Sequence, residues 1–222
     1  MTMRTLIIAP HPDDEILGCG GTLLRRKSEG AEICWLIVTN ISTEYGWSLE
    51  KVKQRESEIK KITEMVGFNQ VYNLQLPPTL LDSLPMNQLI QKISDIFVSY
   101  QPTEVFLPYY SDVHTDHRIV FDAAMACTKW FRYPFVDRVL AYETISETEF
   151  GLRPEVSFTP NVFVDISQYI DNKIQLMSVY QSEMNDFPFP RSELALRAQA
   201  TLRGSTAGYN AAEAFQLLKE RS

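Results

Sequence analysis

Reactive nitrogen and sulfur are scarce in this chain: 222 residues contain three histidines and three cysteines. The cysteines, Cys19, Cys34 and Cys127, are odd in number and lack metal-motif spacing. A disulfide framework is therefore not expected, and reduced thiols in a cytoplasm are the economical reading. Cys19 lies beside glycines, where packing is a better reading than ligation. Basic runs are missing too, with 21 Lys and Arg against 28 Asp and Glu for a net charge of −7. Nucleic-acid binding depends on phosphate neutralisation and is disfavoured, as is an anionic membrane surface. No apolar stretch approaches the ~18 to 20 residues of a membrane span. Acidic residues follow the first apolar run at once, so no signal peptide is expected. Repeats and low-complexity tracts are absent.

What is present suits a sizeable core: 45% of residues are hydrophobic and 11% aromatic. One domain over residues 1–222 is expected. "RTLIIAP" reads as a strand, and "ILGCGGTLLRRKSEG" as a helix closed by Gly30. "EICWLIVTN" is a continuous apolar strand of the parallel kind. "SLEKVKQRESEIKKITEMVGF" carries a helical stripe through Val52, Ile59, Ile62 and Met65-Val66 and is ended by Gly67. A short strand at Val71–Tyr72, a proline loop and the helix "MNQLIQKISDIFVSY" follow. "TEVFLPYY" is the next strand, its loop "SDVHTDHR" leading into "IVFDAAMACTKWF". "DRVLAYE" and "NVFVDI" read as strands, "SQYIDNKIQLMSVYQSEM" and "SELALRAQATLRG" as helices, and Ala211 to Lys219 as a last short helix. Strands alternating with helices predict an α/β fold with a mainly parallel sheet. The loop "NDFPFPR", residues 185–191, is the best candidate for a mobile flap.

All three histidines fall in two strand-following loops. His11 sits in "PHPDDEILGCGGTL" after the first strand; His114 and His117 follow "EVFLP". Ligands of open α/β sheets bind beyond the carboxyl ends of strands, where strand order reverses. Acidic residues crowd the same loops: Asp13, Asp14, Glu15, Asp112 and Asp116. Burying so much negative charge unpaired would cost several kcal/mol, so a positive group is expected beside it. His11, Asp14 and His117 could supply N, O and N donors to one divalent cation, leaving a position for water. Zinc suits that mixture, with iron or cobalt as alternatives, better than magnesium does.

The two motifs resemble those of the LmbE/PIG-L family of metal-dependent N-acetylglucosamine deacetylases. The segment "DISQYIDNKIQLMSVYQSEM" and the tail "RGSTAGYNAAEAF" are similar to family segments as well. The resemblance implies a Rossmann-like three-layer fold and hydrolysis of an N-acetylated sugar or sugar conjugate. It implies His11, Asp14 and His117 as metal ligands, Asp13 as general base, and His114 facing the developing oxyanion. Pro10 and Thr115 depart from the commoner residues at their positions, without removing a functional group. Asp112 stands where some members place a tyrosine, so no tyrosine role is carried over.

The chemistry expected of these residues is amide hydrolysis. A zinc ion would bring a water to a pKa of about 7. Asp13 would take its proton and pass it to the leaving nitrogen. His114, held by Asp116 or Asp112, would be protonated and would stabilise the oxyanion. Glu15 is expected in a structural role at the helix start. Arg55 matches a family arginine near the sugar, yet could equally pair with Glu56 or Glu58. Tyr45, Trp47, Trp130 and Tyr133 are candidates for sugar stacking, with core packing the stronger reading for each. Glu213 and Gly208 match family positions without an evident role.

Three other functions compete. A dinucleotide-binding Rossmann module is suggested by Gly18-Cys19-Gly20-Gly21, but the glycine spacing is wrong and the acidic residues would repel a pyrophosphate. A two-metal phosphoesterase usually needs more ligands than these loops supply. A closer rival keeps this chemistry and changes the substrate to another amide, such as a thiol-sugar conjugate or an acylated antibiotic. Homo-oligomer formation and the form of the sugar are left open.

Overall fold

The computed structural model describes residues 2–152 and 154–222. Among these residues seven strands form one sheet: β1 (Arg4–Ala9), β2 (Glu32–Thr39), β3 (Gln70–Leu76), β4 (Glu104–Pro108), β5 (Arg138–Tyr142), β6 (Val162–Asp165) and β7 (Ala212–Glu220). Their order is β3-β2-β1-β4-β5-β7-β6. The first five run parallel, and β7 lies antiparallel to both β5 and β6. Among the described residues six α-helices cover the faces: α1 (Asp14–Ser28), α2 (Leu49–Val66), α3 (Met86–Tyr100), α4 (Thr115–Met125), α5 (Ile170–Met177) and α6 (Glu193–Ala207). This is the three-layer α/β architecture with a mostly parallel sheet that the sequence predicts.

The continuous apolar run of β1 is explained by burial on both faces. Ile7 and Ala9 enter the core shared with α1, α2, α5 and α6, whereas Leu6 and Ile8 face α3 and α4. Successive side chains of a strand point to opposite faces, so a two-sided core needs an unbroken apolar sequence. β2 and β3 lie on one side of β1 and β4 on the other. The chain therefore reverses its winding between β1 and β4, and a crevice opens at their carboxyl ends.

Helix α1 begins at this crevice and packs unusually close to its neighbours. A Cβ on Gly18 would collide with the Tyr142 ring, and one on Gly21 would lie 2.7 Å from Ile166 Cγ2. Glu213 of β7 reaches the same helix. Its carboxylate accepts from the Gly21 and Thr22 amides at 2.9 and 2.7 Å. Lys173 of α5 donates to Leu17 O at 2.8 Å and pairs with Glu213 Oε1 at 2.7 Å. Near its other end, Arg26 donates from Nε and Nη2 to Glu104 at 3.0 and 3.1 Å, with Thr5 Oγ1 on the same carboxylate. The helix is thus pinned to the sheet at two points along its length.

The structure corrects the reading of the tail. Ala211 to Lys219, read as a helix, is instead strand β7 over Ala212–Glu220. Its alanines, leucines and glutamates favour a helix locally, but a pairing site on each side overrides that preference. Its side chains alternate accordingly: Phe215 and Leu217 join the α1 face while Leu218 packs on the α3 face. Smaller differences concern boundaries. β3 extends over Gln70–Leu76, α5 stops at Met177, and α4 starts at Thr115 within the predicted loop.

The Lys173–Glu213 pair is almost fully buried, so removing one partner strands the other charge. Glu213→Ala is expected to lower the unfolding free energy by about 3–5 kcal/mol, measured by urea denaturation. A Lys173→Met/Glu213→Leu double change should recover part of that loss. An unchanged midpoint for Glu213→Ala would show that the pair does not hold α1.

Candidate active site

The first motif leaves β1 as a tight turn, Pro10-His11-Pro12-Asp13, and enters α1 at Asp14. Asp13 is the residue before the helix and has φ 129° and ψ −31°. A non-glycine residue there costs on the order of 1–3 kcal/mol and persists only where its surroundings impose it. The constraints are visible. The Asp13 amide donates to Glu15 Oε2 at 2.9 Å, and its carbonyl accepts from Ile16 and Leu17 at 3.0 and 2.9 Å. Glu15 is itself fixed by the Tyr180 hydroxyl at 2.7 Å. Burial pushes the Glu15 carboxyl up to about 8. The structural role expected for Glu15 is therefore to hold the backbone of its neighbour.

The second motif leaves β4, the strand beside β1. His114 is the N-cap of α4, its Nδ1 accepting from the Asp116 amide at 3.1 Å. That cap places His117 in the first helical turn, pointing back toward β1. The rings of His11 and His117 lie 5.5 Å apart, and those of His11 and His114 4.5 Å apart. All three histidines of the chain meet at the winding reversal.

Asp14 stands between two of them. Its Oδ2 is 3.2 Å from His11 Nδ1 and 3.3 Å from His117 Nε2. The far nitrogen of each ring meets another carboxylate: His11 Nε2 lies 3.0 Å from Asp116 Oδ2, and His117 Nδ1 2.8 Å from Asp112 Oδ2. Thr148 Oγ1 in turn donates to Asp112 at 2.7 Å. Charge balance governs the group. Burial alone would lower the His11 pKa, but Asp116 and Asp14 outweigh it and raise it to about 9. His117 is likewise held well above its ordinary value by Asp14 and Asp112, against burial. Burial would raise Asp14, yet the two imidazoles hold it well below the usual carboxylate range. The carboxylates thus demand positive charge, which a divalent cation could provide in place of two protons.

Among the described residues, two sets of donors lie close enough to hold one ion: His11, Asp14 and His117, or His11, His114 and Asp116. The first fits better. Both its imidazoles have their outer nitrogens on carboxylates, the arrangement that orients metal-binding histidines. In the second, His114 Nδ1 is occupied as a helix cap, and Asp116 Oδ2 also accepts from the Thr79 amide at 2.7 Å.

The expectation for His114 needs correction. Neither Asp112 nor Asp116 pairs with its ring through a carboxylate; those groups serve His117 and His11. Burial and the neighbouring imidazolium charges of His11 and His117 push His114 down to about 4. An Nδ1 that accepts from the Asp116 amide carries no proton itself, which leaves the ring proton on Nε2. Asp116, expected to hold His114, orients His11 instead.

Asp13 faces away from Asp14, into a cavity of about 250 Å³. His11, His114, Trp47, Arg55, Glu147, Glu183 and Arg191 share its lining. Arg55 pairs with Glu58 at 3.2 Å, one of the two readings made of it, and it also lines the cavity. It also donates to Pro12 O at 2.7 Å and to Glu183 Oε1 at 2.6 Å. Of the four stacking candidates, Trp47 lines this cavity and is 40% exposed, whereas Tyr133 packs on Phe97 in the core. Trp130 lies against Phe131 on the surface. Cys19, Cys34 and Cys127 are buried free thiols outside the cluster. Arg191 is the residue that sequence reasoning missed: Nη1 donates to Asp13 Oδ2 at 2.7 Å. An isolated arginine after a proline loop carries no local signal of such a contact. A larger cavity of about 750 Å³, lined by Tyr109, Phe158 and Leu202, includes none of the histidines.

The chain is similar to several known proteins. Diacetylchitobiose deacetylase of Thermococcus kodakarensis is 27% identical, covering 97% of this chain and 83% of its own. A probable N-acetyl-alpha-D-glucosaminyl L-malate deacetylase 2 of Bacillus cereus is 23% identical across 82% of this chain and 84% of its own. The crystal structure of a conserved Thermus thermophilus protein superposes with a TM-score of 0.81 at 28% identity, covering 100% of this chain and 97% of that one. The PIG-L family, described as GlcNAc-PI de-N-acetylase, matches residues 6–128, a stretch that includes both histidine motifs. With more than half of its length matched, the chain belongs to the PIG-L family.

Proposed function

We propose that this protein is a metal-dependent deacetylase that hydrolyses the acetamide of an N-acetylated amino sugar or sugar conjugate. The observation that carries the reading is the divergence of two adjacent carboxylates. Asp14 turns onto His11 and His117, and Asp13 turns into the cavity. One is spent on a cation, and the other is free to move a proton. Membership of the PIG-L family and the deacetylase relatives support the reaction class.

A zinc ion, or iron or cobalt, held by His11, Asp14 and His117 would supply Lewis acidity toward a water and the acetyl carbonyl. The donor set suits it: two imidazoles and one carboxylate are the ligands of many open zinc sites. Asp13 takes the proton of the attacking water and returns it to the departing amine. His114 donates from Nε2 to the carbonyl oxygen as negative charge builds there. A neutral donor suffices, because its value lies in being fixed in place by the α4 cap before the reaction begins. The cavity of about 250 Å³ is near the lower end of ligand sites and suits one sugar ring. Trp47 offers that ring an exposed face, and Arg55 borders it. The binding-module alternative has less support, since a pyrophosphate would meet Asp13 at the helix start.

The purified protein should carry about one divalent ion per chain by elemental analysis. His11→Ala, Asp14→Ala and His117→Ala should lose it, while His114→Ala keeps it. Equal metal loss in His114→Ala and retention in His117→Ala would transfer the site to the second donor set.

Kinetics separate the two aspartates. Asp13→Asn should retain the metal and KM while kcat falls about 10²- to 10⁴-fold. Asp14→Asn should lose metal affinity and recover some activity with added zinc. Acetate release from N-acetylglucosamine, diacetylchitobiose and a sugar–malate conjugate tests the activity itself. A metal-loaded enzyme that releases no acetate from any of them contradicts the proposal.

A further inference from the structure

We propose that Arg191 is the positioning residue of Asp13, fixing which carboxylate oxygen receives the water proton; this rests on the deacetylase reading. The argument begins with the donors of the guanidinium. Nη1 meets Asp13 Oδ2 at 2.7 Å and Glu183 Oε2 at 3.3 Å, Nη2 meets Glu147 Oε1 at 3.4 Å, and Nε donates to Ser146 Oγ at 2.8 Å. Four of its five N–H groups are therefore engaged with protein. An arginine so occupied has little left for a substrate anion and acts as a brace.

The brace has a rigid base. Ser192, the next residue, caps α6 by accepting from the Ala195 amide at 3.2 Å. On the other side, Glu183 is shared with Arg55, which itself holds the carbonyl of Pro12, the residue before Asp13. Both residues flanking the guanidinium carry unusual backbones, Asp13 at φ 129° and Ser146 at φ 78°. Such strain is found where surrounding contacts over-determine a conformation. With its amide on Glu15, its carbonyl on the first turn of α1 and Oδ2 on Arg191, Asp13 keeps its other oxygen for the reaction. A planar fork can hold three carboxylates and a hydroxyl at once; a lysine cannot reproduce that geometry.

The test uses the full-length, metal-loaded protein and acetate release from the three substrates above. Arg191→Ala and Arg191→Lys are compared with wild type, in the presence and absence of low-millimolar guanidinium ion. They are also built into the Asp13→Asn background. Arg191→Ala should keep its metal and KM, with kcat down about 10²-fold, the loss expected of a reacting group displaced by about an ångström. Guanidinium should restore part of kcat. In the Asp13→Asn background the same change should cost less than about 2-fold, since the group it positions is already inactive. Arg191→Lys, which keeps the charge, should fall between and covers the case in which the alanine variant does not fold. Equal losses in both backgrounds, or a raised KM with unchanged kcat, would overturn the proposal. Wild-type protein that releases no acetate instead overturns the deacetylase reading on which it rests.

Discussion

The organisation of this molecule follows from one electrostatic constraint: too many carboxylates are gathered at the ends of two neighbouring strands. Asp13, Asp14, Glu15, Asp112 and Asp116 are all buried there. Each would otherwise incur a desolvation cost larger than a single surface ion pair repays. The structure divides the charge into two groups. Asp14, Asp112 and Asp116 share the imidazoles of His11 and His117, where a cation can enter. Asp13, Glu147 and Glu183 share the guanidinium of Arg191, and Glu183 also that of Arg55. The boundary between the groups falls between two residues adjacent in the chain.

Holding that boundary requires α1 to sit at a fixed height over the sheet. Small residues let the helix approach, and the buried Lys173–Glu213 pair and the Arg26–Glu104 bridge keep it there. The N-terminus of α1 also contributes, since its free amides and dipole favour the negative charge of the first turn. Packing far from the chemistry is therefore part of it. A shift of α1 would move Asp13 and Asp14 together, but relative to partners that stand on different elements.

Much of this was legible in the sequence, and the reasons differ by element. β1 and β2 announced themselves because burial on both faces demands unbroken apolar runs. The meeting of His11 with His117 was legible because motifs following parallel strands must lie at the same edge of the sheet. β7 was not legible, because Ala212–Glu220 has helical composition and becomes a strand only when β5 and β6 offer it pairing on both sides. His114 was misread in its charge: acidic neighbours in sequence suggested a protonated ring, but their carboxylates turn to other histidines. Arg191 was invisible because it lies 178 residues from the aspartate it holds. Long-range ion pairs leave no periodicity, and a single arginine has no motif.

The remaining question is how two neighbouring aspartates come to face different partners. Composition cannot separate them, and they are adjacent in the chain. Backbone geometry does. Asp14 is the first residue of α1 and takes helical dihedrals, which send its side chain back over the turn toward His11. Its Oδ2 also accepts from the His11 amide at 2.9 Å, closing a local ring that locks this direction. Asp13 precedes the helix with φ in the left-handed half of dihedral space. An ordinary capping residue has extended dihedrals and turns its side chain onto the helix amides. Asp13 makes no such side-chain cap; Glu15 instead accepts from the Asp13 amide, and the Asp13 carboxylate lines the cavity. The strain at this one residue thus turns a charge that would stabilise the helix toward the cavity instead.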